Sequence, residues 1–166
     1  MFIAHLPAGY LITRALQNKF NNHKYLWAGL LGSVFPDLDL FYFYLISKRQ
    51  ISHHDYWSHI PFLWLCFMLL TFLVIKILKK DNWQFPILLF FVGIFSHMIL
   101  DSIAAPIHWF YPFSQKAFQL VEVPSVYDWW VWNFILHWSF VLEIGICLCA
   151  GFVLIQEFKK SNSDKF

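Results

Sequence analysis

The feature that most constrains this chain is an apolar run from Ile60 to Leu78 whose one charge is Lys76, closed by Lys79-Lys80. Such a run matches the roughly 20 residues that the hydrocarbon core of a bilayer requires. Two more follow. Phe85 to Ala105 is joined to the first run by the short polar turn Asp81-Asn82-Trp83-Gln84, so the two are expected to form an antiparallel hairpin. Asn133 to Gln156 ends on Glu157-Phe158-Lys159-Lys160. Composition agrees: 59% hydrophobic and 13% charged residues stand far from the roughly 45 to 50% apolar and about 25% charged of soluble domains. Twenty Phe, nine Trp and seven Tyr supply aromatic rings of the kind that gather at lipid headgroups.

The first third of the chain is less regular. Tyr25 to Ile46 is apolar on both sides of Pro36-Asp37-Leu38-Asp39, and a proline there ends one helical segment and lets another restart. Ala4 to Phe20 reads as a short helix interrupted by Arg14, too weak to be a span by itself. The expected fold is all-α, a polytopic membrane bundle of about four to five helices in one domain over 1–160, with a flexible polar tail at 161–166. Met1-Phe2-Ile3-Ala4-His5-Leu6-Pro7 lacks the basic start and small-residue cleavage site of a secretory signal, so these residues are expected to stay in the mature protein. Cys66, Cys147 and Cys149 all lie in apolar runs, where a thiol acts as a small hydrophobe rather than a disulfide or zinc ligand.

Basic residues set the expected orientation. Of 12 Lys and Arg, only Lys48, Arg49 and Lys116 fall on the face opposite to the rest if Lys79, Lys80, Lys159 and Lys160 are cytoplasmic. Ser47 to His59 and Pro106 to Trp132 then lie on the outer side. The second loop carries His108, Trp109, Tyr111, Tyr127, Trp129, Trp130 and Trp132, a set suited to lying in the headgroup layer over a site. The basic residues form no stripe, which excludes direct nucleic-acid binding as a leading role.

This topology, assigned from Lys and Arg alone, brings His5, Asp37, Asp39, His54, His59, His97 and Asp101 to one depth, with His53, His108 and His137 nearby. His97 and Asp101, four residues apart, share one face of a helix. A hydrogen bond across one turn is the plain explanation for such a pair, but ionisable groups inside an apolar span are costly and point to function. Asp37 and Asp39 could each cap a helix after the proline. Two carboxylates so close in apolar surroundings repel unless a cation or proton lies between them. Glu143 is read as a deeper glutamate satisfied by a neighbouring helix rather than as a ligand.

Ala4-His5, Gly32-Ser33-Val34-Phe35-Pro36-Asp37-Leu38-Asp39, His54 through His59, His97-Met98-Ile99-Leu100-Asp101 and Pro112-Phe113-Ser114, in that order, resemble the YdjM-type family of LexA-binding, inner-membrane-associated, metal-dependent hydrolases. The resemblance covers most of the chain. Where the family usually has His-Arg through Thr-His-Ser, this sequence reads His54-Asp55-Tyr56-Trp57-Ser58-His59-Ile60, keeping both histidines and losing the Arg and the final Ser. The family in turn looks like a membrane relative of the helical zinc-dependent phospholipases C, which implies phosphoester hydrolysis. Those enzymes place a Glu one turn after a second His, whereas His137 is followed there by Val141, so a three-metal cluster is not expected.

The expected function is a hydrolase of a membrane lipid phosphoester in which the seven His and Asp residues hold one or two divalent ions. Their mixed imidazole and carboxylate chemistry suits Zn, with Mn or Fe as alternatives. Asp37 or Asp39 would serve as base. The alternative is a non-enzymatic metal-binding membrane protein, a regulator or transporter component. The expected place is the inner (plasma) membrane, with the site on the outer side.

Overall fold

The computed structural model describes residues 3–47 and 52–163. Lys48 and Arg49, two of the residues that counted against the expected orientation, lie outside them. The described residues form seven α-helices: α1 His5–Lys19, α2 Leu26–Val34, α3 Asp39–Leu45, α4 Pro61–Ile77, α5 Gln84–Ala104, α6 Trp130–Ile135 and α7 Ser139–Ser163. Short 3-10 turns at Pro36–Leu38, His53–Asp55, Trp57–His59 and Asp81–Trp83 separate several of them. No strand is present among the described residues, only an isolated bridge between Ile107 and Phe118.

The all-α expectation holds, and the difference in helix number has local causes. Pro36 breaks Tyr25 to Ile46 into α2 and α3, as its missing N–H requires. The last apolar run is broken later. The Asn133 side chain accepts from the Val126 and Tyr127 amides at 2.9 and 2.7 Å and donates to the Tyr127 carbonyl at 3.0 Å, which ties α6 to the incoming loop. His137 therefore sits in the bend before α7 instead of inside a span, its Nδ1 2.8 Å from Ser139 Oγ. At its other end α7 continues through Ser163, beyond the expected start of the tail.

Two segments are long and apolar enough to cross a membrane, Asp81–Ala104 and Ser139–Ser163, each with mean hydropathy 2.1. They differ in surroundings: 56% of the most apolar window is buried in the first and 17% in the second. α5 is thus the central post of the bundle, and α7 presents Val141, Leu148, Phe152 and Ile155 outward. α4 is a shorter apolar helix that packs on α5 through Trp64, Phe91, Ile94 and Met98.

The closest helix pair is α2 with α5, and glycine makes it possible. A methyl built on Gly93 would stand 2.5 Å from the Gly29 carbonyl oxygen and 2.7 Å from the Ser33 amide nitrogen. One built on Gly32 would collide with the Phe90 carbonyl. Backbones this close gain many dispersion contacts, which is how helices associate where the surrounding solvent is itself apolar. α1 is held by α7 just before its start and along its middle. Glu143 Oε2 accepts from the Ile3 and Ala4 amides at 2.6 and 3.2 Å, and Glu157 Oε2 lies 2.8 Å from Arg14 and accepts from the Tyr10 hydroxyl at 2.9 Å.

Candidate metal centre

Six elements, three helices and three 3-10 turns, deliver chemistry to one end of the bundle. α1 contributes His5 from its first turn. The 3-10 turn that follows α2 carries Asp37, and Asp39 opens α3. Pro61 at the first position of α4 fixes where that helix begins, which leaves His54 and His59 on the preceding turns. The Trp64 indole donates to the Ser58 carbonyl at 2.7 Å and pins the last of these turns to α4. α5 supplies His97 and Asp101 from its final two turns.

The coordinating atoms follow from hydrogen bonds made on the far side of each ring. His97 Nδ1 lies 2.8 Å from the Ser33 carbonyl, which can only accept, so Nδ1 donates and Nε2 of the neutral ring holds the lone pair. His59 Nδ1 lies 2.9 Å from Asp39 Oδ2 and donates in the same way. Both Nε2 atoms are buried without a hydrogen-bond partner. They face Asp37 Oδ1 and Asp101 Oδ2: His97 Nε2 is 3.6 and 3.0 Å from these two oxygens, and His59 Nε2 is 3.8 and 3.6 Å away. Lone pairs turned toward carboxylate oxygens in a dry interior repel unless a cation or a proton lies between them; a protonated His97 would pair with Asp101 at 3.0 Å.

The geometry also fits a metal ion. Ligands about 2.1 Å from a central ion in a tetrahedron are separated by about 3.4 Å. The separations above, 3.0 to 3.8 Å, lie near four of that tetrahedron's six edges, and the groups whose ligand atoms all lie within 4.8 Å of one another are three-membered: Asp37, His59 and His97, and His5, His97 and Asp101. The remaining groups ring this position. His5 Nε2 is 3.1 Å from Asp101 Oδ1, and its ring stacks on His97 at 3.8 Å between centroids. His54 Nε2 is 3.8 Å from Asp101 Oδ2. Burial outweighs the attraction of Asp101 and pushes the His54 pKa down to about 2, so its imidazole is neutral and able to ligate.

Asp39 stands one layer back. Its Oδ2 is committed to His59 Nδ1 and the Ser58 hydroxyl, with no cap onto its own helix. This is the carboxylate–histidine–metal arrangement that fixes a ligand's tautomer and raises its basicity. Its Oδ1 and His53 Nδ1 are both buried without a hydrogen-bond partner, 3.9 Å apart. His53, His54 and His59 form a further group whose ligand atoms lie within 4.8 Å of one another, sharing His59 with the first.

All seven expected ligand residues therefore meet at this end of the molecule, and His53 joins them. Other candidates stand apart. His108 bridges the Gln115 carbonyl at 3.0 Å and Asp55 Oδ1 at 3.2 Å. His23 is exposed beyond α1, and the family-like Pro112-Phe113-Ser114 lies in the loop after α5, its phenylalanine largely exposed. Glu143 Oε2 accepts from the amides that precede α1, level with the cluster rather than deeper. Two supporting groups escaped the sequence reading. Ser58 could have been suspected from its place beside His59, whereas the Ser33 carbonyl is backbone and leaves no mark on residue type.

No curated protein and no solved structure matches the chain significantly, so the phospholipase C likeness rests on no match. The sequence, the helical fold and the inward-facing His and Asp groups agree with one family over nearly the whole length. The chain belongs to the YdjM inner membrane protein family, whose model matches residues 1–162.

Proposed function

We propose that this chain is a polytopic inner-membrane hydrolase that uses one or two divalent ions, Zn first with Mn or Fe as alternatives, to cleave a phosphoester at the outer membrane surface. The observation that carries the reading is the pair of buried lone pairs, His59 Nε2 and His97 Nε2, aimed at Asp37 and Asp101 oxygens. Asp37 favours catalysis over a purely structural ion. Its side chain is 31% exposed where that of Asp101 is 2% exposed, so the cluster has one open side. Open positions distinguish catalytic from structural sites.

An ion bound here would supply Lewis-acid polarisation of a phosphoryl oxygen and lower the pKa of a water toward neutrality. The chain does the rest. Asp37, at the open side, takes the proton from the attacking water. Asp39 and the Ser33 carbonyl hold the two imidazoles in the tautomer that presents Nε2. His5 and His54 flank Asp101 and limit where its carboxylate turns. Membrane insertion is supported by the two apolar helices, the outward apolar face of α7 and the family. The outer-side placement is supported by Arg14, Lys19, Lys79 and Lys80, which lie toward the opposite ends of the helices that carry the ligands.

Elemental mass spectrometry of detergent-purified protein tests the first step. Stoichiometric metal in the wild type that is lost in His97→Ala and Asp101→Ala is expected, followed by metal-dependent phosphate release from lipid phosphoesters. Metal-free protein that stays metal-free after reloading would overturn the reading; bound metal without turnover on any phosphoester would leave a binding protein instead.

A further inference from the structure

A second feature borders the cluster without belonging to it. Phe35, Pro36, Leu38, Tyr42, Tyr56 and Trp57 wall a cavity of about 510 Å3, with Asp39 and Ser58 also in its lining. This lies within the roughly 300 to 1,000 Å3 of small-molecule sites. Its walls are braced: the Tyr42 and Tyr56 rings meet edge to face at 5.6 Å, and the Tyr56 hydroxyl donates to Ser47 Oγ at 2.8 Å. We propose that this cavity seats the hydrocarbon chain of a phosphate-bearing amphiphile whose head group reaches the cation cluster, an inference that rests on the hydrolase reading above.

Three observations select that occupant. The cavity adjoins the metal centre: Asp39 and Ser58, in its lining, are the groups that hold His59, and the thickness of that one imidazole ring separates them from its Nε2. The helix that carries part of its lining is apolar and outward-facing as well. α3 has no buried residue, and Leu38, Phe41, Leu45 and Ile46 are 51 to 76% exposed. Apolar side chains this exposed beside an apolar cavity open it onto hydrocarbon rather than water. Charge then divides the ligand. The Asp39 carboxylate repels a phosphate from the cavity itself, so the head stays at the cations, beside Asp37 on the same turn, and the chain takes the aromatic walls.

A photoreactive probe reads this placement directly. The protein, loaded with zinc in dodecyl maltoside, which carries no phosphate, is irradiated with a phosphonate analogue of phosphatidic acid that bears a diazirine in one acyl chain. Diacylglycerol with the same chain is the reference. The phosphonate is not hydrolysed, so labelling is independent of turnover. Tyr42, Tyr56 and Trp57 are expected to be labelled at least about tenfold more by the phosphonate, the ratio that about 1.4 kcal/mol of head-group binding supplies. Leu38→Trp, which fills the cavity, should remove the preference while zinc content stays unchanged; Leu45→Trp, on α3 but outside the lining, should keep it. Excess dihexadecyl phosphate should displace the probe whichever variant folds well. Equal labelling by both probes, or a preference that survives both Leu38→Trp and dihexadecyl phosphate, overturns the proposal. Phosphate release measured in parallel separates the two readings. Selective labelling without turnover removes the hydrolase and keeps the chain site, and turnover without selective labelling does the reverse.

Discussion

Replacing Gly93 by Ala adds a methyl to α5 at its narrowest contact with α2. That methyl would lie 2.5 Å from the Gly29 carbonyl oxygen, where ordinary contact begins at 3.4 Å, and all three of its nearest neighbours are backbone of α2. No side chain can swing away, so the helices must part by roughly 0.9 Å. His97 is one turn further along α5, and its Nδ1 bond to the Ser33 carbonyl, 2.8 Å in the native packing, stretches past hydrogen-bonding range. Two consequences are expected together. Overpacking costs about 1 to 3 kcal/mol of stability, and loss of the group that orients a ligand weakens metal binding about 10- to 100-fold. Thermal unfolding and competition against a chelator, both in detergent, measure the two. Gly145→Ala is the control, because nothing lies within 4 Å of a methyl there, and it should change neither. Gly93→Ala protein with native affinity and an unchanged melting temperature would refute the claim that helix packing sets the His97 geometry.

Three further outcomes are expected. Asp39→Asn keeps an oxygen for His59 Nδ1 but removes the charge behind it, so affinity at the first cation position should fall about 10- to 100-fold, less than in His59→Ala; chelator competition compares them. The His54 pKa is lowered by burial to about 2, below the roughly 6.5 of an unfolded histidine. The unfolded chain therefore binds more protons between these values, and metal-free protein should lose stability as pH falls below about 6.5, with the slope reduced in His54→Gln. Glu143→Gln weakens the anchoring of the Ile3 and Ala4 amides, so faster hydrogen exchange at the start of α1 is expected, together with weaker metal binding through His5.

Most of the site was legible because charged and imidazole groups inside apolar runs are few, and the basic residues that order the helices are independent of them. His5, Asp37, His54, His59, His97 and Asp101 needed only the correct ends of the correct helices. The division between ligand and support was not legible. Asp37 and Asp39 look equivalent in sequence, and only the path of the chain after Pro36 turns one toward the open side and the other onto His59 and Ser58. Helix ends were missed for a similar reason. Hydropathy continues smoothly from Trp130 into α7, while the break is made by Asn133 bonding to residues 126 and 127, a tertiary contact without periodicity. Glu143 was expected to be satisfied by a neighbouring helix, but the partners it has are backbone amides far away in sequence.

The coordinating groups all come from the first 101 residues, yet the helix that fixes where the chain starts is the last to be made. During synthesis, a nascent chain exposes every histidine and aspartate of the cluster before α7 exists. When Glu143 arrives it holds the Ile3 and Ala4 amides, adding a clamp just before His5 to the close packing of α1 on α2 at Gly9 and Ser33 and at Thr13 and Gly29. A product truncated before α7 would carry a complete set of donors but lack the clamp on the residues that precede His5.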